Sequence, residues 1–274
     1  MCFWISLTQI LYLTLYYHPS LLDIRSPSRL FRKTCNFFND RDSKKAIKLF
    51  DHFVNNMNNN GSIGHYDIFE ALSQIRDLNI FSFEYISTYK CKKCKINKQT
   101  TENMTILSIH PTGEKNENLE LQELLSNYLK KETIKDAKCE KCDTFEMKKF
   151  QKIENLPEML FVQFVCHQYN RTNEKLGKNE SKIKCKLKEK IFGQNYELVA
   201  VSQQNFFSDK IGHYISFVNY NNHFFEINDE SIKPISESEF LNSSGYAFIF
   251  KKIKAESLPS CHIDLYPNKL TTSK

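Results

Sequence analysis

No block of like charge dominates this sequence. Its 38 Lys and Arg residues against 32 Asp and Glu give a formal net charge of +6, spread along 274 residues. This mild balance does not require nucleic acid as a partner, and none is expected. No internal repeat is present either, so no repeat array is expected. With 41% hydrophobic and 13% aromatic residues, the chain can bury the core of one large domain or two small ones.

Charge is missing altogether from Met1 to His18. A signal peptide or membrane anchor would explain such a run, but no Lys or Arg precedes it and no small-residue cleavage site follows. Ser6 and Thr8 interrupt it, and Pro19 falls before the length of about 20 residues that a spanning helix needs. The run therefore favours a buried helix, and no membrane partner is expected.

The hydrophobic pattern divides the chain into a helical first third and a strand-rich remainder. DSKKAIKLFDHFVNNM has helical spacing and is followed by the breaker NNNGS. LELQELLSNYLKK predicts one amphipathic helix, TNEKLGKNESK a polar loop, and the residues after Lys254 a peripheral tail. Six stretches predict strands of a largely antiparallel system within an α+β fold: FSFEYISTY, MLFVQFVCHQY, YELVAV, HYISFVNY, HFFEI and YAFIF.

The cysteines do not suggest a disulfide framework, because there are nine of them at long spacings. They suit a reducing compartment and a metal site, so a cytoplasmic or nuclear location is expected. Cys91 with Cys94, and Cys139 with Cys142, form two CxxC pairs whose four thiolates would complete a tetrahedral, structural zinc shell. The 44 intervening residues require two hairpin knuckles at the ends of separate strands. Two alternatives remain: the pairs are redox CxxC motifs, or their spacing arises by chance in a chain rich in Lys and Cys.

A candidate proton-transfer site lies in GHYISFVNYNNHFFEIND. His213 opens one strand, and Asn228 and Asp229 end the next strand across an Asn221-Asn222 turn. Hairpin pairing would bring the imidazole within reach of the carboxamide or the carboxylate. A histidine oriented in this way can take a proton from a thiol, but most histidines at strand edges are only packed or solvated.

Five sequence boxes, in order, carry a resemblance to a known family. CFWISLTQIL is similar to a Cys box of the form GNTCYMNSxLQxL, and YDIFEAL keeps Asp67, Glu70 and Leu72 of a box like QQDAHEFL. The two CxxC pairs, NLPEMLFVQFVCHQY and GHY with IND complete the series. In this order the chain resembles ubiquitin-specific proteases (ubiquitin C-terminal hydrolases, type 2), as a divergent member with a truncated Cys box.

The resemblance implies roles for particular residues. Cys2 would be the nucleophile at a helix N-terminus, and His213 the general base and acid. Asn228 would orient His213, with Asp229 as a possible support. Substrate contacts would come from four further residues: Gln9, Asp67, Glu70 and Tyr214. The partner implied is ubiquitin or a ubiquitinated protein, whose arginine-bearing tail would meet the carboxylates.

The resemblance also implies an architecture. The fold would be papain-like, with a thumb to about residue 80, zinc-tipped fingers to about 150 and a palm to about 254, in a monomeric chain. The catalytic domain would span residues 1–254, with 255–274 as the peripheral tail. The implied reaction is hydrolysis after the C-terminal glycine of ubiquitin.

The departures from the family pattern leave alternatives open. The asparagine that the family places about five residues before its cysteine, as an oxyanion donor, has no counterpart before Cys2. Either the sequence begins at a mis-assigned start and lacks its real N-terminus, or the chain is a weak or inactive ubiquitin-binding scaffold. A zinc-dependent module for unrelated partners is a third hypothesis. Cys166 and Cys185 are expected to be inert or exposed thiols, and KIKCKLKEK a solvated strand rather than a grip on an acidic partner.

Overall fold

The computed structural model describes part of the chain. The described residues are Tyr17, Ile68, Phe69 and the ranges 81–111, 118–165, 167–170, 175–178, 181–208, 211–229 and 231–253; for 167–170, 175–178, 206–208 and 211–212 only the backbone is described. The predicted helical first third falls almost wholly outside them, as do the candidate site residues Cys2, Gln9, Asp67 and Glu70.

The described residues form sixteen strands and two helices. The strands are β1 Phe83–Cys91, β2 Asn97–Met104, β3 Ile106–Ile109, β4 Asn118–Glu120, β5 Glu132–Ile134, β6 Met147–Glu154, β7 Met159–Phe164, β8 His167–Asn170, β9 Lys175–Lys178, β10 Lys182–Lys184, β11 Lys188–Ile191, β12 Gln194–Ser208, β13 Ile211–Tyr220, β14 His223–Asn228, β15 Ser231–Ile235 and β16 Ala247–Lys252. The helices are α1 Leu121–Tyr128 and α2 Glu237–Leu241.

An eight-stranded sheet forms the main body. Its order is β15-β14-β13-β12-β16-β7-β3, and β11 also pairs with β12. The pairs are antiparallel except β3 with β7. The interior strands β7 and β16 read MLFVQF and AFIFKK and are almost continuously buried, as expected of strands covered on both faces. Each of the six stretches that predict strands overlaps a described strand, so this part of the sequence prediction is confirmed in outline. MLFVQFVCHQY, predicted as one stretch, is divided between β7 and β8.

The hairpin of β13 and β14 closes as its turn residues predict. Asn221 and Asn222 both have positive φ, 49° and 61°, which is the conformation of a two-residue type I′ turn. Asparagine tolerates this conformation better than other residues with a Cβ. The turn sets the register, in which Tyr220 pairs with His223 and Ser216 with Ile227.

A four-stranded antiparallel sheet, β2-β1-β6-β5, stands apart from the large sheet. Its strand β2 is exposed over nearly all its length. The first CxxC pair begins at the last residue of β1, and the second lies between β5 and β6. The two ends that carry cysteines are therefore neighbours, because Cys91 pairs with Met147 at the start of β6.

Two strand pairs complete the described sheets: β10 runs parallel to β4, and β8 antiparallel to β9. The sequence prediction of a loop over TNEKLGKNESK is wrong in part, because β9 occupies Lys175–Lys178 and pairs with His167–Asn170. Backbone pairing with β8 outweighs the weak strand propensity of this polar segment.

The two helices differ in how they are held. Helix α1 buries Leu121, Leu124 and Leu125, so its prediction as an amphipathic helix is confirmed. Helix α2 begins with a capping box in which Ser236 and Glu239 satisfy each other's backbone N–H groups. Among the described residues, no helix is long and apolar enough to cross a membrane.

Candidate functional site

Two matching hairpin knuckles hold the four CxxC cysteines. In the first, the Cys91 N–H donates to Ile96 O and the Lys95 N–H donates to Cys91 O, at 3.0 and 3.2 Å. In the second, the Cys139 N–H donates to Thr144 O and the Asp143 N–H to Cys139 O, at 2.8 and 2.9 Å. The predicted pair of hairpin knuckles is therefore present.

Each knuckle turns on a residue in the left-handed region. Lys95 and Asp143 directly follow the second cysteine of each pair, with φ of 61° and 57°. This conformation costs a residue with a Cβ about 1 kcal/mol. The left-handed turn directs both thiols of a pair toward the same point.

The four sulfur atoms form one cluster. Cys91 Sγ is 3.5 Å from Cys142 Sγ, Cys94 Sγ is 3.6 Å from Cys139 Sγ, and all four lie within 4.8 Å of one another. Tetrahedral zinc with Zn–S bonds of about 2.3 Å places its sulfur ligands roughly 3.8 Å apart. The donor set and its spacing therefore fit a tetrahedral metal ion.

The electrostatics of the cluster also favour a cation. Hydrogen bonding with Thr144 lowers the pKa of Cys142 to about 6. The Cys94 N–H lowers the pKa of Cys91. The Ile96 N–H lowers the pKa of Cys94, but desolvation and the other three thiols outweigh it and raise the pKa to about 11. The pKa is thus lowered at Cys91 and Cys142 and raised at Cys94, and a bound cation would favour the loss of the Cys94 proton.

The imidazole of His213 and the carboxamide of Asn228 meet on the β13–β14 hairpin. His213 Nε2 lies 2.7 Å from Asn228 Oδ1. Because a carboxamide oxygen only accepts, Nε2 carries the proton and donates it, which makes Nδ1 the basic nitrogen of the neutral ring. The predicted proximity of imidazole and carboxamide is therefore confirmed. Asp229 follows in the left-handed region at φ 52° and is exposed.

An aromatic row backs this hairpin. Tyr214 is buried, with 4% of its surface exposed, and lies 6.3 Å from the ring of Tyr246. Tyr246 packs edge-on against Phe69 at 5.4 Å. Phe69 is one of the two described residues of YDIFEAL, and it reaches Tyr246, the neighbour of Tyr214 in this row. No motif in the sequence singles out Tyr246, which is the first residue of the stretch YAFIF.

The described thiol outside the cluster, that of Cys185, lies in an environment that opposes its ionisation. Burial, followed by the carboxylates Glu189 and Glu120, raises the pKa of Cys185 far above its usual value. A thiol in this state is a poor nucleophile. Cys166 and the candidate nucleophile Cys2 lie outside the described residues.

The family of the chain follows from comparison with known sequences. A model of the ubiquitin carboxyl-terminal hydrolase family matches residues 28–250. The chain therefore belongs to this family, as the ordered boxes predict. The matched region contains both knuckles and the His213 hairpin, and it begins after Cys2. No curated protein is significantly similar to the chain in sequence.

Solved structures show the same fold. A SAGA DUB module of Ubp8, Sgf11, Sus1 and Sgf73 bound to monoubiquitin aligns with a TM-score of 0.75 at 21% identity, over 92% of this chain and 67% of that chain. The Ubp8 module bound to ubiquitin aldehyde aligns with a TM-score of 0.68 at 21% identity, over 92% and 68%. A yeast SAGA DUB module with an altered Sgf73 gives 0.64 at 19% identity, over 92% and 66%. The fold is thus that of the ubiquitin-specific proteases.

Proposed function

We propose that this chain is a cysteine isopeptidase that hydrolyses the bond after the C-terminal glycine of ubiquitin or a close relative. The observation that carries the proposal is the His213–Asn228 hydrogen bond, at 2.7 Å, in a chain of the ubiquitin carboxyl-terminal hydrolase family. The similar Ubp8 modules bound to monoubiquitin and to ubiquitin aldehyde support ubiquitin as the partner.

Three residues of the chain take part in the proposed reaction. Nδ1 of His213 takes the thiol proton of Cys2, and the thiolate attacks the carbonyl carbon of the ubiquitin C-terminal glycine. The imidazolium then gives its proton to the leaving lysine amine, which leaves a thioester. Water, deprotonated by the same nitrogen, releases the ubiquitin carboxylate and restores the thiol. Asn228 holds the ring in the tautomer that this sequence of steps requires.

Substrate contacts are assigned by position in the family boxes. Asp67 and Glu70 would face the arginine-bearing tail of ubiquitin, where carboxylates can pair with guanidinium groups. Gln9 and Tyr214 would line the same groove. The contact of Phe69 with Tyr246 supports placing the segment that contains Asp67 and Glu70 beside the His213 strand.

The four-cysteine cluster is proposed to hold structural zinc. Cys91, Cys94, Cys139 and Cys142 would fill all four positions, so the ion would cross-link the two knuckles and leave none for a reacting water. The four-stranded sheet would then form zinc-tipped fingers, and the large sheet the palm of a papain-like fold. Zinc-binding thiols suit the reducing cytoplasm or nucleus.

A ubiquitin probe with a C-terminal electrophile tests the reaction. The chain should form a covalent adduct one ubiquitin larger, and Cys2→Ser should abolish it. Cys185→Ala is the matched control and should label normally, because the half-buried Cys185 packs against the core and its pKa is raised. Absence of an adduct in a folded, zinc-loaded chain, or an adduct that survives Cys2→Ser, would contradict the proposed nucleophile.

A second candidate function is ubiquitin binding with weak or no turnover. It is favoured by one observation, that the family match begins at residue 28 and does not include Cys2. Titration of ubiquitin, followed by calorimetry, would show saturable binding, while a fluorogenic ubiquitin amide would be left intact. Hydrolysis of the amide that depends on His213 would exclude this alternative.

A further inference from the structure

Five lysines form a regular row of exposed charge on the described surface. They occupy alternate positions of KIKCKLKEK: Lys182, Lys184, Lys186, Lys188 and Lys190. All five are exposed, whereas Ile183 and Glu189 between them are buried, at 3% and 7% exposure. The side chains of Cys185 and Leu187 pack against the main core. We call the five lysines the lysine ridge.

The backbone under the lysine ridge is pinned at several points. Strand β10 pairs with β4, and β11 pairs with β12. Between the two strands, the Leu198 N–H donates to Leu187 O at 2.8 Å. The ridge therefore belongs to two paired strands and the link between them, and its lysines project from a fixed backbone.

The acidic residue of this segment faces inward. One carboxylate oxygen of Glu189 accepts from Gln122 Nε2 at 2.7 Å, and the other accepts from the Lys186 N–H at 2.8 Å. Glu189 thus closes the turn into β11 and ties it to helix α1. Its charge is satisfied beneath the surface and forms no ion pair with a ridge lysine.

The ridge lysines lack the ion pairs that other described lysines have. Five lysines elsewhere pair with carboxylates: Lys92, Lys98, Lys138, Lys152 and Lys251. Among the described residues, no carboxylate forms an ion pair with a ridge lysine. Glu120 is the register partner of Lys184 and Glu197 that of Lys188, but Glu197 forms its ion pair with Lys251. Alternate residues of a strand lie roughly 6.6 Å apart, so like charges repel within each of the two strands of the ridge, Lys182 against Lys184 and Lys188 against Lys190. A partner with many negative charges would relieve this repulsion.

The residue types favour phosphate over carboxylate as the partner charge. The ridge is built of lysine and contains no arginine, and arginine is the side chain whose fork matches a carboxylate in two-point contacts. Lysine acts as a point charge and binds phosphate without fixed geometry. A nucleic acid duplex carries one charge per about 1.7 Å of its axis, so lysines on a bent segment need no exact register with it.

The same surface is poorly suited to a lipid membrane. Peripheral membrane segments combine basic residues with apolar side chains that enter the lipid. Here the apolar side chains Ile183 and Leu187 point to the core.

We propose that the lysine ridge binds the phosphate backbone of double-stranded nucleic acid without sequence preference. The net charge of the whole chain does not predict this partner. Positive charge is concentrated only locally, because exposed lysines alternate with inward-facing side chains along one segment.

Fluorescence anisotropy of a labelled, mixed-sequence DNA duplex tests the proposal on the full, zinc-loaded chain. Affinity should fall with salt, with a log–log slope of roughly −4 if the five lysines each meet a phosphate. Replacing all five ridge lysines by Gln should reduce affinity by at least about 30-fold at low salt and flatten the slope. A single Lys186→Gln change should reduce the slope by about 1.

A matched control removes the same number of charges elsewhere. Its five exposed lysines are Lys90, Lys130, Lys135, Lys148 and Lys233, all changed to Gln. This variant should keep its affinity within about threefold, because general charge attraction alone is weak compared with a defined row of contacts. Thermal unfolding and zinc content would show that both variants are folded.

Four results of the duplex titrations would overturn the proposal, and a fifth would come from competition. They are no duplex binding at low salt, binding insensitive to salt, equal loss of affinity in the control variant, and retained affinity in the ridge variant. Polyglutamate and anionic phospholipid vesicles serve as competing polyanions. If either is bound as tightly as the duplex and depends on the ridge, the partner is an acidic protein or a membrane, and the nucleic acid proposal fails. These measurements do not depend on hydrolysis of ubiquitin conjugates.

Discussion

Phe69 packs edge-on against Tyr246, with ring centroids 5.4 Å apart and ring planes inclined by 70°. Tyr246 in turn lies 6.3 Å from Tyr214, the neighbour of His213. Aromatic pairs of this kind contribute about 0.5–1.5 kcal/mol beyond the burial of their surface. Three segments that are far apart in the sequence are thus joined through one ring, that of Tyr246.

Substitution of Tyr246 should separate the role of its ring from that of its hydroxyl. The hydroxyl accepts a hydrogen bond from Gln163 Nε2 at 2.9 Å. Tyr246→Phe should therefore cost about 1 kcal/mol of unfolding free energy, and Tyr246→Ala about 3–5 kcal/mol. Urea unfolding followed by circular dichroism measures both. If the ring positions the hairpin, the rate of hydrolysis of a ubiquitin amide should also fall much further in Tyr246→Ala than in Tyr246→Phe. Equal losses in the two variants would contradict this role.

The hydrogen bond at His213 predicts which neighbouring residue orients the imidazole. Asn228→Ala should lower kcat for a fluorogenic ubiquitin amide on the order of 10²-fold, with little change in KM, because a mispositioned base transfers its proton poorly. Asp229→Asn is the control: it removes the charge but keeps a residue that tolerates the φ of 52°. This control should retain activity within about threefold. A larger loss in Asp229→Asn than in Asn228→Ala would give the orienting role to Asp229.

The four-cysteine cluster predicts one tightly held zinc ion. Cys139→Ser should lose zinc, measured by elemental analysis, and should unfold at a lower temperature, because metal binding and folding are coupled. Lys141→Ala changes an exposed residue of the same knuckle and should retain the metal. Zinc should be kept at neutral pH and released as the pH falls, since protons compete for the sulfur atoms. Full zinc content in Cys139→Ser would exclude the cluster as the site.

Much of the large sheet could be predicted because its strands carry their own signal. The aromatic and β-branched runs that become β7, β13 and β16 are bounded by turn residues, and the Asn221-Asn222 turn has a known conformation. Strand β9 could not be predicted, because LGK within a polar run has no strand pattern. Its pairing with β8 depends on tertiary contacts that the segment itself does not encode.

The candidate site shows the same division between local and long-range signals. The CxxC spacing and the GHY hairpin are local, so Cys91, Cys139, His213 and Asn228 could be found from the sequence. The Tyr246 ring and the turned-in carboxylate of Glu189 depend on residues far away in the chain. No spacing rule connects such positions, and only the folded chain reveals them.

The knuckle conformation leads to a prediction at Lys95. This residue has φ 61°, where glycine is unstrained and a β-branched residue is strongly disfavoured. Lys95→Gly should leave zinc content unchanged and the free energy of unfolding equal to or about 0.5–1 kcal/mol above that of the wild type. Lys95→Val should lower the unfolding temperature and weaken zinc binding, because it opposes the turn that brings Cys91 and Cys94 together. Competition with a chromogenic chelator measures the affinity. If Lys95→Val bound zinc as tightly as Lys95→Gly, the left-handed turn would not control the metal site.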